Sequence, residues 1–237
     1  MLLIKMSLQQ SYSSDNSVIE IGIDEAGRGP LFGRVYSAAV ILPKDNFDFS
    51  NIKDSKKFHS KKKIEKVADY IKENAICWSV YYEDEETIDR INILKATQWS
   101  MHKNINNIMD KCYNDDNKFL LLVDGNYFNP YTRIEKDNII KINHVCIESG
   151  DNLYASIAAA SILAKVERDK YIDELCENNP DLKEKYSIHT NKGYAAKRHL
   201  DGIKQHGISK WHRKTFGICK QYSIKKCLAN NINLDSI

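Results

Sequence analysis

The chain has 237 residues, 42% hydrophobic and 28% charged, with 4 prolines and a formal net charge of +3. That length and balance suit a globular protein with a sizeable core and exclude a low-complexity chain. The near-neutral charge excludes a global basic field, so affinity for a polyanion must come from local clusters such as 53–63, 192–198 and 210–214. Six cysteines, at 77, 112, 146, 176, 219 and 227, have no C-x-x-C spacing, and neither a signal peptide nor a membrane-length apolar run is seen. These features predict a reduced intracellular protein, cytoplasmic with a nuclear location as the alternative, with no thiol metal site and no membrane partner. The Ser- and Gln-rich residues 1–16 read as a disordered leader and 229–237 as a flexible tail.

In chain order, Val18, Ile19, Ile21 and Ile23 mark a first strand that ends at Asp24-Glu25 and runs into the glycine turn Gly27-Arg28-Gly29-Pro30. A backbone without Cβ can approach a ligand closely there, and an arginine can meet a phosphate. Val35 to Leu42, stopped by Pro43, is a second strand returning beside the first. The cationic loop 52–58 carries Ser55 and Lys56, which could hold a phosphate or simply lead into the next helix. That helix is N-capped by Ser60 and amphipathic through Ile64, Val67, Ala68 and Ile71.

Ala75 to Tyr82 reads as a third strand, and Thr87 opens one helix running to about Met109, with Ile91, Leu94, Trp99, Ile105 and Met109 apolar and Asp89 and Asn92 as capping or packing groups. The continuously apolar Phe119–Val123 predicts a strand buried on both faces and ending in Asp124-Gly125-Asn126. A single further strand is expected over Ile139–Ile147, then the loop 148–152 with Asp151. A tightly packed small-residue helix follows from Leu153, ended by Asn179-Pro180. Beyond it, basic residues alternate with Tyr194, Trp211 and His212, a pattern suited to phosphates and stacked sugars or bases.

Each piece alone has a bland reading as turn, cap or solvated face, but the ordered set is specific. Gly22-Ile23-Asp24-Glu25-Ala26-Gly27-Arg28-Gly29-Pro30-Leu31, Asp54-Ser55-Lys56-Lys57, Asn92–Thr97, Asp124-Gly125-Asn126, Gly150-Asp151, the Ala158–Val166 run with Arg168-Asp169, and Lys192-Gly193-Tyr194 together resemble ribonuclease HII from about residue 18 to 218. The resemblance implies an α/β ribonuclease H-like fold with a mixed central β-sheet flanked by helices. It implies a catalytic domain over 17–178 and a C-terminal helical substrate-binding region over 179–228. It further implies an endonuclease that hydrolyses the RNA strand of RNA:DNA hybrids and incises DNA 5′ of embedded ribonucleotides, leaving 5′-phosphate and 3′-hydroxyl, in ribonucleotide removal and primer processing.

By the same resemblance, Asp24, Glu25, Asp124 and Asp151 are the catalytic metal ligands for Mg²⁺ or Mn²⁺ in a two-metal mechanism. Gly27, Arg28, Gly29 and Tyr194 bind substrate by that resemblance; Ser55 and Lys56 are candidate substrate contacts from the residues themselves, and a monomer is expected. Four hard oxygen donors suit these ions better than zinc. The sequence departs from the family pattern at Arg34, at Ala195 and in a long gap between Asp124 and Asp151, where Asp137 is a competing carboxylate. A silent nucleic-acid binder and an enzyme restricted to longer RNA tracts are the rival readings.

Overall fold

The computed structural model describes residues 8–113, 117–135 and 137–222. The tail 229–237 and Cys227 lie outside the described residues. By internal contacts the chain forms two compact units, one from Met1–Ala26, Tyr36–Tyr82 and Thr97–Glu167, the other from Gly27–Val35, Glu83–Ala96 and Arg168–Ile237. This interleaved division differs from the linear boundary near 178 expected from the sequence.

The first unit is built on a mixed five-stranded sheet of β1 (Val18–Ala26), β2 (Val35–Ile41), β3 (Cys77–Glu83), β4 (Lys118–Asp124) and β7 (Asn143–Ile147), in the order β3-β2-β1-β4-β7. β1 pairs antiparallel with β2, the hairpin-like return expected from the sequence, and parallel with β4, which pairs parallel with β7. Strand alternation divides the work of β1. Ile21 and Ile23 enter a core with Met101, Ile105, Ile108 and Met109 of α3 (Ile93–Cys112). The alternate residues face α4 (Ala155–Asn178): a Cβ on Gly22 would lie 2.2 Å from the Ser156 carbonyl carbon, so the small residues of both elements permit their close approach.

α1 (Lys61–Asn74) buries Ile64, Val67, Ala68 and Ile71 as expected, but Ser60 makes no side-chain cap bond. The single strand expected over 139–147 is two: β6 (Asn138–Lys141), which pairs with β5 (Thr132–Glu135) in a separate hairpin, and β7. Ile134 and Ile139 are paired across that hairpin and exposed, so the long insert between Asp124 and Asp151 is partly a surface ribbon. Residues 9–13, expected in a disordered leader, are bonded to this unit. The Gln9 amide donates to Leu153 O at 2.8 Å, and the Glu20 carboxylate accepts from Ser11 Oγ and from the amides of Tyr12 and Ser13.

In the second unit, the helix expected from Thr87 to Met109 is broken. α2 (Glu85–Ile91), capped by Asp84, stops at Asn92, which has φ 70° and whose Oδ1 then caps α3 by accepting from the Lys95 amide. Leu94 and Trp99, expected among the packed positions, are exposed. Asp89 accepts from the amides of Lys214 and Thr215, a packing role. Leu31, Phe32, Ile172, Cys176, Leu182, Tyr186, Ile188, Ile203 and Cys219 form the core with the later residues of α4 and with α5 (Asp181–Tyr186), α6 (Ile188–Asn191) and α7 (Lys197–His206). Among the described residues no helix is long and apolar enough to cross a membrane.

Candidate active site

Parallel pairing aligns Ile23 with Val123, so Asp24 and Asp124 are each the next residue of adjacent strands. Asp24 is buried; its Oδ1 accepts from the Glu25 amide at 2.6 Å, and the Ser161 hydroxyl of α4 also bonds to its carboxylate. Burial, then the charges of Glu25 and Asp124, hold its carboxyl well above the usual carboxylate range. Asp124 Oδ1 accepts from the Gly150 amide at 2.7 Å, and the Asp151 amide bonds to the same carboxylate, so the loop carrying the fourth acid is fastened to the third. Burial and the charge of Asp151 raise Asp124 as well.

Asp151 lies in a short 3₁₀ turn, Gly150–Asn152, that follows Ser149 in the left-handed region. It is 2% exposed, its Oδ2 accepting from Lys56 Nζ at 3.1 Å and its Oδ1 from Asn152 Nδ2 at 3.0 Å. Partial burial works against the Lys56 ammonium, but the bond and charge of Asp151 outweigh it and leave the Lys56 pKa raised. The rival Asp137 stands exposed in the β5–β6 turn at φ 65°. Lys56 is delivered by Asp54, whose Oδ1 caps the turn by accepting from the Lys56 amide.

Ser55, expected at the substrate, is instead buried with its hydroxyl 3.0 Å from Ser161 Oγ. Ser161 therefore joins Ser55 to Asp24. It escaped the sequence reading because a lone serine within Ala-Ala-Ala-Ser-Ile-Leu-Ala looks like another small packing residue.

Among the described residues, no group of three His, Cys, Asp or Glu is arranged as a ready-made metal cluster. The acids are instead linked in sequence, Glu25 to Asp24, Asp24 to Asp124 and Asp124 to Asp151, by charge and hydrogen bonds. Glu25, Asp24, Asp124 and Asp151 form a hard oxygen donor set in which neighbouring carboxylate charge helps to raise Asp24 and Asp124; a divalent cation would relieve that repulsion, and on that chemistry the set fits Mg²⁺ or Mn²⁺.

In the second unit, Gly27 takes φ 93° and packs so closely on Arg168 that a Cβ would lie 2.1 Å from its Nε. Gly29 has no such constraint; a Cβ there would meet only the Tyr194 ring, at 3.7 Å. Tyr194 is 51% exposed and Arg28 is exposed. Arg34, a departure from the family pattern, lays its guanidinium 4.2 Å from the Tyr171 ring centroid.

A family model described as Ribonuclease HII matches residues 21–223. The chain belongs to the ribonuclease HII family. The ribonuclease HII of Parabacteroides distasonis is 44% identical over 84% of this chain and 89% of its own length, and that of Cytophaga hutchinsonii 41% identical over 89% and 94%. Among solved structures, the PCNA:RNase HII complex of Archaeoglobus fulgidus aligns with TM-score 0.63 at 25% identity, covering 84% of this chain and 96% of that one. Fold similarity extends to the ribonuclease H2 of Pyrococcus horikoshii, with TM-score 0.65, 20% identity and coverage of 87% and 97%. It extends also to Bst-RNase HIII, solved in complex with Mn²⁺, with TM-score 0.64, 19% identity and coverage of 88% and 70%. Membership in the ribonuclease HII family makes this chain an endoribonuclease with the ribonuclease H-like α/β fold.

Proposed function

We propose that the enzyme hydrolyses the RNA strand of RNA:DNA hybrids and incises DNA 5′ of embedded ribonucleotides, leaving 5′-phosphate and 3′-hydroxyl ends. The observation that carries this is the continuous chain of acids from Glu25 through Asp24 and Asp124 to Asp151, each of the last three fixed by named hydrogen bonds. Asp24, Glu25, Asp124 and Asp151 would hold two Mg²⁺ or Mn²⁺ ions. Bound there, the ions neutralise charge on the scissile phosphate and make a water more acidic.

The chain's own residues set the stage for that chemistry. Ser161 and the Glu25 amide fix the Asp24 carboxylate, so it presents its oxygens without rearranging. The amides of Gly150 and Asp151 do the same for Asp124. Lys56, bonded to Asp151 yet with its side chain 77% exposed, would meet a substrate phosphate while balancing the acids. Discrimination falls to Gly27, Arg28, Gly29 and Tyr194: the 2′-hydroxyl is the one local difference between ribose and deoxyribose, and backbone amides with a tyrosine O–H can bond it.

The test is incubation with a duplex carrying one ribonucleotide, with Mg²⁺, with Mn²⁺ and with EDTA. Metal-dependent nicking 5′ of the ribonucleotide is expected. A protein that binds the duplex without nicking it would overturn the assignment, and one that cuts only long hybrids would restrict it.

A further inference from the structure

Arg213 is fully buried, and its guanidinium is spread over the turn that carries Gly27 and Gly29. Its Nη2 donates to Gly27 O at 2.6 Å, its Nη1 to Arg28 O and Pro30 O, both at 2.9 Å, and its Nε to Gly33 O at 2.8 Å. The Arg213 amide donates in addition to Leu31 O at 2.9 Å. The negative fields of Glu85 and Asp89 help to compensate the buried cation.

In a trans peptide the carbonyl and the following N–H point in opposite directions, and no peptide bond described here is cis. With Arg28 O drawn inward to Arg213, the Gly29 N–H is turned away from that guanidinium, and Gly29 itself is exposed, a Cβ there meeting only the Tyr194 ring. The neighbouring residue extends the same control to Tyr194. His212 Nδ1 accepts from the Ser209 amide at 2.9 Å, which puts its proton on Nε2, facing His199 Nε2 at 3.0 Å. His199 in turn donates from Nδ1 to Tyr194 O at 2.8 Å.

We propose that Arg213, with His212 beside it, is a positioning residue for ribose recognition: it fixes the polarity of the glycine turn so that the Gly29 amide faces the 2′-hydroxyl. The inference rests on the ribose-reading role given above to Gly27–Gly29 and Tyr194. Lysine keeps the charge but lacks the planar fork that serves several carbonyls at once.

The experiment compares wild type and Arg213→Lys on two duplexes differing only at one sugar, a ribose or a 2′-fluoro sugar. Because each enzyme's rates are taken as a ratio, loss of folded protein cancels. Wild type should strongly prefer the ribose, and in Arg213→Lys that preference should fall by about ten-fold or more, in line with the loss of one oriented donor. An unchanged ratio in a variant with normal circular dichroism would overturn the inference. A wild type indifferent to the 2′ group would instead overturn the reading beneath it.

Should Arg213→Lys fail to fold, nitrogen-15 spectra of the wild type decide. Restricted, separately resolved Arg213 Nη groups are expected, as is a Gly29 amide shift on adding, with Ca²⁺, the ribose duplex but not the all-DNA one. A freely rotating guanidinium or an unmoved Gly29 amide would overturn the inference.

Discussion

Gly27 and Gly29 share one turn for different physical reasons. Gly27 needs its glycine for the fold, having φ 93° and no room for a Cβ beside Arg168. Gly29 does not, since a methyl there meets only ordinary contact with Tyr194. Gly27→Ala should therefore lose about 1–3 kcal/mol in denaturant unfolding. Gly29→Ala should unfold within about 0.5 kcal/mol of wild type yet, on the ribose-reading role proposed for this turn, turn over the one-ribonucleotide duplex about ten-fold more slowly or worse, because the methyl would stand where the sugar comes. Normal turnover by Gly29→Ala would show that its surface is not used. The acids themselves were legible as residues, Asp24 and Asp124 because each closes an apolar β run. The supports were not: Ser161, which holds Asp24, hides among alanines, and nothing in Trp-His-Arg-Lys announces that Arg213, bonded to the glycine turn, is fully buried.

β1 and α4 are matched elements. Their approach depends on Gly22, where a Cβ would lie 2.2 Å from the Ser156 carbonyl carbon, an atom of the backbone and so unable to swing aside. Gly22→Ala should destabilise the protein by about 1–3 kcal/mol or more, measured by the shift of the urea midpoint. An unchanged midpoint would mean the two elements separate freely. Sequence periodicity located the five main strands and the long helices, because buried β runs and a small-residue helix leave strong patterns. It missed the break at Asn92, since the apolar period runs on through it and only the φ of 70° interrupts the helix. It also fused β6 with β7, because the exposed Ile139 and the strand residues after it look alike as letters.

For the whole molecule, the two interleaved units could not be read from the chain. The second unit gathers three separate stretches of chain, and bonds within it such as those of Asp89 to Lys214 and Thr215 carry no local signature. Buried histidines tie global stability to pH. Burial, then the neighbouring His199, pushes the His212 pKa down to about 3, and burial lowers His199 as well; both pack against Tyr186 and Phe32. A group with a depressed folded-state pKa is protonated first in the unfolded chain. Its contribution is thus whole above the ordinary histidine value near 6.5 and is lost as pH falls toward 3. Between pH 6 and pH 4 His212 should steepen the loss of stability by up to about 1.4 kcal/mol per pH unit. Urea unfolding across that range should give a shallower slope for His212→Asn than for wild type; equal slopes would refute the assignment.

Asp124 stands midway along the chain of acids, bound by the amides of Gly150 and Asp151 and raised by the Asp151 charge. Turnover of the one-ribonucleotide duplex by Asp124→Asn, a substitution that preserves shape and deletes charge, is the most direct test of whether these acids act together. A normally folded variant that has lost about a thousand-fold or more of wild-type activity at saturating Mg²⁺ or Mn²⁺ is the expected result. Near-normal turnover by that variant would contradict it.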